Sequence, residues 1–154
     1  MTRPAIPLGA PERIAAADQW NAHPGMMHMG ARADFSEADA VRVTISPLQD
    51  YHRGGLGTQA VNGAVIAGLC DVAIGIVGHF QHPGRRIGTA QLSLQFLRPL
   101  MGDSATAIAR LTRAGTNLVF ASVEVVDQLG TVCARCDGIV AVSGAAAGGE
   151  DTAL

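Results

Sequence analysis

The sequence predicts an α+β fold in which one long central helix is wrapped by a curved antiparallel sheet of about five to six strands. Residues 60–80 form a long apolar segment of helical length. Two alternating segments precede it and four follow it, and short turn sequences typical of antiparallel hairpins separate the last four. Since only one sheet is available to cover the helix, we expect the helix to lie along its concave face.

Composition limits the function classes. The chain of 154 residues is 48% apolar and 16% charged, which is typical of one globular domain. Its net charge of −2 comes without a run of either sign, so nucleic acid and membrane are disfavoured as partners. All 11 basic residues are Arg, which excludes Schiff-base and P-loop lysine chemistry. Three cysteines and an N-terminus without a signal-peptide core predict a reduced, cytoplasmic protein.

Three regions are expected along the chain. We expect an N-terminal arm with a short helix over residues 1–24, one folded domain over 25–143 and a disordered tail over 144–154. The arm is rich in Pro and Gly up to residue 10, which is typical of loose chain. Pro11 then opens a helix that reaches about Trp20.

Two short strands and a loop precede the apolar segment. Imperfect alternation of apolar and polar residues predicts strands over residues 26–37 and 40–47. The Gly-rich segment 49–58 has no regular period and a length typical of functional loops. His52 lies in this loop, where it is either an auxiliary group of a site or an ordinary solvent-exposed histidine.

The helix over residues 60–80 is apolar on nearly every side, so we expect it to be buried on every side. A membrane span is disfavoured because Asn62 and Asp71 would be costly in lipid. Four glycines interrupt the segment, and each weakens an isolated helix by about 1 kcal/mol relative to Ala. Their presence indicates that a sheet or a partner helix packs closely against the backbone.

Four strands follow the helix, over residues 87–97, 104–113, 118–127 and 131–142. The first of them alternates cleanly, with apolar side chains on one face and polar side chains on the other. We expect its core face to carry Ala90, Leu92, Leu94 and Phe96. Short turns predict that neighbouring strands of this group pair as hairpins.

Asp71 is the strongest candidate for chemistry. It lies in the middle of an apolar helix, where a carboxylate is costly unless it is paired, neutral or facing a cavity. The alternative is a structural ion pair with Arg98 or Arg53.

The start of the helix offers a second candidate group. Free backbone N–H groups at a helix N-terminus suit a carbonyl oxygen that gains negative charge, and Gly63 lies there. The alternative is an ordinary cap, with Asn62 or Thr58 as the capping side chain. Asp71 follows Gly63 by eight residues, or about 12 Å of helix, so one carbonyl cannot touch both. A shared reaction therefore requires an antiparallel helix from a second copy.

The sequence supports a metal site or redox chemistry less well than it supports chemistry at Asp71 and Gly63. Cys133 and Cys136 form a C-x-x-C pair, but a zinc site needs more ligands and we expect positions three apart on a strand to face opposite sides. His79 and His82 lie at the end of the helix, where interaction with the helix dipole is the simpler account. No metal site is predicted.

The residues resemble a known family. Residues 62–71 (NGAVIAGLCD) are similar to the His-Gly-Gly-x-x-x-x-x-x-Asp stretch of hotdog-fold acyl-CoA thioesterases of the phenylacetate-pathway (PaaI) type, within the 4-hydroxybenzoyl-CoA thioesterase-like superfamily. Residues 89–99 (TAQLSLQFLRP) and the glycines that follow resemble that family's strand series. The resemblance covers about residues 25–143 and implies a hotdog fold. It disfavours the hydratases and dehydratases of the same fold, because their histidine arrangements are absent.

The resemblance implies hydrolysis of acyl-CoA thioesters by a homodimer that pairs again into a tetramer, with coenzyme A as part of the substrate and no cofactor. It assigns Asp71 the role of base or nucleophile and gives Gly63 the N–H that polarises the carbonyl from the other subunit. Asn62 stands where the family has His, which keeps a polar side chain at that position but loses the imidazole. We expect the acyl group to lie between the two helices, and the substrate contacts to be Ile66, Leu69, Val72 and His52. The alternative function is a non-catalytic acyl-CoA binder or sensor.

Overall fold

The structure, a computed structural model, describes residues 3–54 and 57–146. In these residues the elements follow one another as α1 (Ala10–Asn21), α2 (Pro24–Met29), β1 (Ala31–Asp34), β2 (Val41–Ile45), α3 (Gly63–Gln81), β3 (Arg85–Phe96), β4 (Ala105–Ala114), β5 (Leu118–Asp127) and β6 (Val132–Ala146). A 3-10 turn over Asp50–His52 lies between β2 and α3. The predicted α+β class, with one long helix against a six-stranded antiparallel sheet, is confirmed.

The strand order in the sheet is β1-β2-β4-β5-β6-β3, and every neighbouring pair is antiparallel. The predicted hairpin between β3 and β4 is therefore wrong, because β3 pairs with β6 and β4 pairs with β2. The connecting segment, 97–104, bonds to other parts of the chain instead. Leu48 N–H donates to the Asp103 carbonyl and Val61 N–H donates to the Leu100 carbonyl. These bonds hold the segment that crosses from β3, at one edge of the sheet, to β4, which lies between β2 and β5.

Strand β3 also departs from the predicted alternation. Thr89 pairs with Val140 and Gln91 pairs with Ile139, so Ala90 is the extra residue of a bulge and is exposed. Leu92 and Leu94 pack on the core as expected. The bulge explains why a single alternating face does not run the whole length of the strand.

Helix α3 lies against β2, β3, β4, β5 and β6. Its core side chains have no exposed surface, and they include Leu69, Ile74 and Val77. The expectation that the helix is buried on every side is wrong, since Ala64 and Asp71 are exposed. One sheet covers one side of a helix, and the opposite stripe is left open within a single chain. By length and composition α3 would suffice to cross a membrane, yet half of that apolar window is buried in this fold.

Helix α3 and strand β6 approach each other unusually closely. A Cβ on Gly138 would lie 2.3 Å from the Ile74 side chain, and a Cβ on Gly78 would lie 2.6 Å from Val140. The helix rises about 6 Å from residue 74 to residue 78, and the strand rises about 6.6 Å from residue 138 to residue 140. Because these two distances are nearly equal, both close contacts form together. The predicted close packing against helix glycines is thus present at Gly78.

The N-terminal arm is not loose chain in the described part. Ala5 is 1% exposed and Ile6 is fully buried. Gln81, at the end of α3, donates from Nε2 to the carbonyls of Pro4 and Ala5 at 3.0 and 2.9 Å. The Pro-rich composition correctly indicated irregular backbone, but two apolar side chains have partners in the core.

Helix α2 occupies the first part of the predicted strand over residues 26–37. His23 caps it by accepting the Gly25 N–H at Nδ1, and Gly30 ends it in the left-handed region at a φ of 68°. Strand β1 is therefore only four residues long. The prediction was wrong because the Met-rich stretch carries no clear period, and the cap and Gly30 decide the local conformation.

Helix α1 covers the outer edge of β1. The Asn21 side chain accepts the Ala33 N–H at 2.7 Å and donates to the Ala33 carbonyl at 3.0 Å. Arg13 donates to the carbonyls of Phe35 and Ser36 just beyond the strand. These side chains take the place that a further strand would occupy.

The C-terminal boundary lies later than expected. Strand β6 continues to Ala146, which pairs with Arg85. Residues 144–146 of the predicted tail therefore belong to the strand. The remainder of that predicted tail, residues 147–154, lies outside the described residues.

We expect Gly78→Ala to lower the free energy of unfolding by about 1–3 kcal/mol, because the added methyl group has no room beside the stiff side chain of Val140. Gly75→Ala is the matched control on the same helix, since a Cβ there meets no atom within 4 Å. This control should gain about 0.5–1 kcal/mol from helix propensity. Chemical denaturation of both variants measures the difference, and a Gly78→Ala variant as stable as Gly75→Ala would contradict the close packing.

Candidate active site

The first turn of α3 leaves one backbone donor free. Asn62 has extended backbone angles, and its Oδ1 accepts the Ala64 N–H at 2.8 Å. This geometry confirms Asn62 as the capping side chain. The Gly63 N–H has no acceptor within the described residues. It therefore presents an unused donor at the positive end of the helix dipole.

A cleft of about 660 Å³ opens beside this donor, between the start of α3 and the segment that follows β3. Its walls include Val61, Ile66, Phe96, Leu97, Arg98 and Leu100. The lining is thus mostly apolar with one cationic side chain. An apolar cleft next to a free N–H suits a ligand that carries a carbonyl group on an apolar body.

Phe96 covers Gly63 inside the cleft. The ring is 58% exposed, which is unusual for a phenylalanine, and its Cζ atom would lie 3.2 Å from a Cβ on Gly63. A side chain at position 63 would push against this ring. A larger residue at position 63 would therefore displace the exposed Phe96 side chain by a few tenths of an ångström.

Asp71 lies on the exposed stripe of α3, about 12 Å along the axis from Gly63. The expectation of a buried slot around it is wrong for a single chain. Within the described part of the chain it has no ion pair or hydrogen bond, so the structural pair with Arg53 or Arg98 is ruled out there. Arg53 instead donates to the Gly102 carbonyl at 2.8 Å. The Asp71 carboxylate is therefore available to another molecule.

The expected acyl contacts do not all lie together. Ile66 lines the cleft beside Gly63 and Asn62. Leu69 has no exposed surface and points into the core, and Val72 is half-buried against it. The hypothesis that the acyl group rests on Leu69 is not supported, because that side chain faces the sheet.

His52 is buried, with 4% of its surface exposed, so the alternative of an ordinary solvent-exposed histidine is ruled out. Its Nδ1 accepts the Gln49 N–H at 2.9 Å, and its Nε2 lies 2.9 Å from the Met29 carbonyl. Both ring nitrogens are therefore occupied by backbone groups. The side chain has no free polar atom to offer to a substrate.

The cysteines are free thiols, and all three are buried. Burial raises the pKa of each thiol. Cys133 and Cys136 do not face opposite sides of β6 as expected, because Cys133 is the extra residue of a bulge opposite Val125 and Val126. Raised pKa values favour the unreactive protonated form, which does not suit a nucleophile.

The histidines at the end of α3 make local contacts. His79 packs edge-on against Trp20, and burial lowers its pKa. His82 bonds through Nε2 to the Gly115 carbonyl at 2.8 Å. Across residues 3–54 and 57–146 no three side chains of His, Cys, Asp or Glu are grouped to hold a metal ion.

A single antiparallel sheet wrapped around one long helix, with a free N–H at the helix start, defines a hotdog-fold protein. The sequence profile of the thioesterase superfamily matches residues 58–134, which is half of the chain. The chain belongs to this superfamily, and membership supports thioester hydrolysis as the class of reaction. No curated protein sequence matches the chain significantly.

Solved structures agree on the fold. The PaaI protein of the Escherichia coli phenylacetic acid degradation operon is 20% identical, with a TM-score of 0.73 over 89% of this chain and 95% of that one. A thioesterase-superfamily-related protein from Shewanella oneidensis is 22% identical, with a TM-score of 0.73 over 90% and 99%. A thioesterase from Haemophilus influenzae is 16% identical, with a TM-score of 0.68 over 81% and 86%.

Two parts of the site were not predicted. The cleft wall formed by Phe96, Leu97 and Leu100 depends on how the chain leaves β3, which a local period does not report. The bond between His52 and the Met29 carbonyl depends on helix α2, which the sequence analysis assigned to a strand. Phe96 was expected on the core face of β3, and that prediction is wrong, because the residue lies at the end of the strand beside Gly63 and is 58% exposed.

We expect Asn62→Ala to lower the free energy of unfolding by about 1 kcal/mol, because the Ala64 N–H loses its acceptor. Asn62→Ser keeps a capping oxygen and should retain most of that stability. Urea denaturation of the two variants measures the difference. If Asn62→Ala were as stable as Asn62→Ser, the capping bond would not stabilise the start of α3.

Proposed function

We propose that the chain hydrolyses acyl-CoA thioesters at a site that a second copy completes. The observation that carries this proposal is a Gly63 N–H beside an apolar cleft, with the Asp71 carboxylate two turns along the same helix, both without a partner among the described residues. A thioester carbonyl needs one donor for its oxygen and one base or nucleophile for its carbon. The Gly63 N–H can serve as the donor and the Asp71 carboxylate as the base or nucleophile. Within one chain they lie too far apart to act on the same carbonyl group.

A two-fold dimer removes that separation. Strand β3 is 12 residues long and lies at one edge of the sheet, so one of its sides is open to another strand. Antiparallel pairing of two β3 edges would lay two α3 helices side by side in opposite directions. With the axis beside Ala67, midway between the two groups, Gly63 of one copy faces Asp71 of the other. The small, exposed side chain of Ala64 allows this close approach.

The proposed reaction uses one molecule of water. The thioester oxygen accepts the Gly63 N–H, which stabilises the negative charge that develops on it. Asp71 from the other copy either takes a proton from the attacking water or attacks the carbonyl carbon itself. Collapse of the tetrahedral intermediate breaks the C–S bond, and coenzyme A leaves. When Asp71 acts as base, this collapse yields the free acid, and the proton that Asp71 took from water passes to the thiolate. When Asp71 attacks directly, it is left in a mixed anhydride, which the water molecule then hydrolyses to the free acid and the Asp71 carboxylate. Asn62 needs no proton transfer in this scheme, since its side chain serves as the cap.

The remaining parts of the proposal concern assembly and substrate. We assign the chain to the cytoplasm as a homodimer that forms a dimer of dimers, with coenzyme A entering as part of the substrate. The cationic Arg98 at the cleft suits the phosphates of the nucleotide. Similarity to PaaI, a protein of a phenylacetic acid degradation operon, supports including aryl acyl groups among the trial substrates.

We expect the wild type to release thiol from some members of a panel of aliphatic and aryl acyl-CoAs. Asp71→Asn should lower kcat by about 10²–10⁴-fold, because the amide cannot act as base or nucleophile. Asp18→Asn is the control, since it removes an exposed helix carboxylate far from the cleft. If no substrate turns over while acyl-CoA raises Tm, the chain is a binder and the hydrolase proposal fails.

Gly63→Pro tests the backbone donor directly. Asn62 already has the extended angles that suit a residue before proline, and proline is favoured at the first helical position. We expect a loss of kcat of about 10²–10³-fold, because the N–H is gone. Gly63→Ala keeps the N–H and adds the same contact with Phe96, so it should lose much less. Equal losses in both variants would point to crowding at Phe96 as the cause.

Mixing the two inactive variants tests whether the site is shared. A dimer of one Asp71→Asn subunit and one Gly63→Pro subunit contains one intact site. Equal amounts that exchange freely should therefore regain about a quarter of the wild-type activity. An absence of recovery, with subunit exchange verified by mass spectrometry, would rule out a site built from both copies.

A further inference from the structure

A closed set of contacts lies behind the start of α3. We propose that His52 is a positioning residue, which fixes the direction of the Gly63 N–H by holding Asn62 from outside the helix. This inference rests on the proposed function for its role in catalysis. It assigns His52 a task different from the substrate contact that the sequence predicted.

The His52 ring ties two segments together. Because Nδ1 accepts the Gln49 N–H, the ring proton of the neutral imidazole lies on Nε2 and is donated to the Met29 carbonyl. The first bond closes the 3-10 turn, and the second joins this turn to the end of α2. With 4% of its surface exposed, the ring keeps these bonds away from competing water.

The His52 backbone carries the constraint to the helix. Its carbonyl accepts the Asn62 N–H at 2.8 Å. The Asn62 side chain caps Ala64, and the Asn62 carbonyl accepts the Val65 N–H at 3.0 Å. The peptide that carries the Gly63 N–H follows Asn62 directly, so the orientation of that peptide is held on three sides.

Helix α2 completes the set of contacts. The Met29 methyl group would lie 3.4 Å from a Cβ on Gly68, in the second turn of α3. Gly30 adopts the left-handed region, and a Cβ there would lie 3.6 Å from the His52 ring. The path therefore runs from α3 through Met29 and His52 to Asn62 and back to α3. A closed path resists rotation of any one peptide better than a single hydrogen bond does.

Three substitutions separate the two sides of the ring. His52→Asn keeps an acceptor near the Nδ1 position, His52→Gln extends a donor toward Met29, and His52→Ala keeps neither. We expect His52→Ala to lower kcat about tenfold, since a donor misplaced by a fraction of an ångström stabilises the transition state less. KM should stay within about twofold, because His52 does not touch the substrate. The Asn and Gln variants should fall between wild type and His52→Ala.

His82→Ala is the matched control. It removes a comparable bond of 2.8 Å between an imidazole and a backbone carbonyl, at the far end of α3. It should cost stability without lowering kcat. A His52 role that is only structural would make the two variants alike in kcat at equal loss of Tm.

A second measurement does not depend on turnover. The ¹⁵N–¹H resonance of Gly63 in the ligand-free protein should move in His52→Ala and stay in place in His82→Ala. An unmoved resonance overturns the proposal, and so does a moved resonance with unchanged kcat and KM. If the wild type hydrolyses no thioester, the proposed function fails, while the Gly63 resonance still decides whether His52 orients this peptide. If His52→Ala does not fold, the Asn and Gln variants take its place in both measurements.

Discussion

The close approach of α3 to β6 is the contact on which the rest of the structure depends. Glycines at positions 78 and 138 remove the side chains that would hold helix and strand apart. Because the helix stays in step with β6 over this length, its rotation about its own axis is fixed. The side chains of Leu69, Ile74 and Val77 then face the sheet, and Asp71 faces outward.

The same constraint decides where the groups of the proposed site lie. A helix fixed in rotation and depth presents its first turn at the end of β3, where Phe96 meets Gly63. The position of α3 thus determines both the packing of the apolar core and the shape of the cleft. The cap by Asn62 adds local order at the helix start without using the N–H of Gly63. The cap uses the Asn62 side chain and the Ala64 N–H, whereas the proposed chemistry uses the Gly63 N–H.

The sequence predicted the fold class and the long helix, because a continuous run of apolar residues indicates a buried helix. Strand β5 has the predicted bounds, since its alternation is complete between two clear turns. The crossover after β3 was missed, because the turn sequence at Gly102 and Asp103 does not specify which strand comes next to which. Distant partners decided that, as the bond from Leu48 to Asp103 illustrates. For the candidate site, local rules offered Asn62 as a capping residue and placed Gly63 at the start of α3, as the structure has them, whereas the surroundings of His52 depend on a helix without a periodic signal.

The two edges of the sheet differ in a way that limits assembly. At β1 the Asn21 amide occupies the backbone groups of Ala33, so a strand from another molecule finds that edge already taken. Among the described residues, β3 retains a long open edge. Strand pairing between identical copies at this edge uses the open edges of both copies at once, so a further dimer would have to attach through other surfaces. The capped edge therefore prevents open-ended polymerisation into filaments, a hazard for any protein with two free sheet edges.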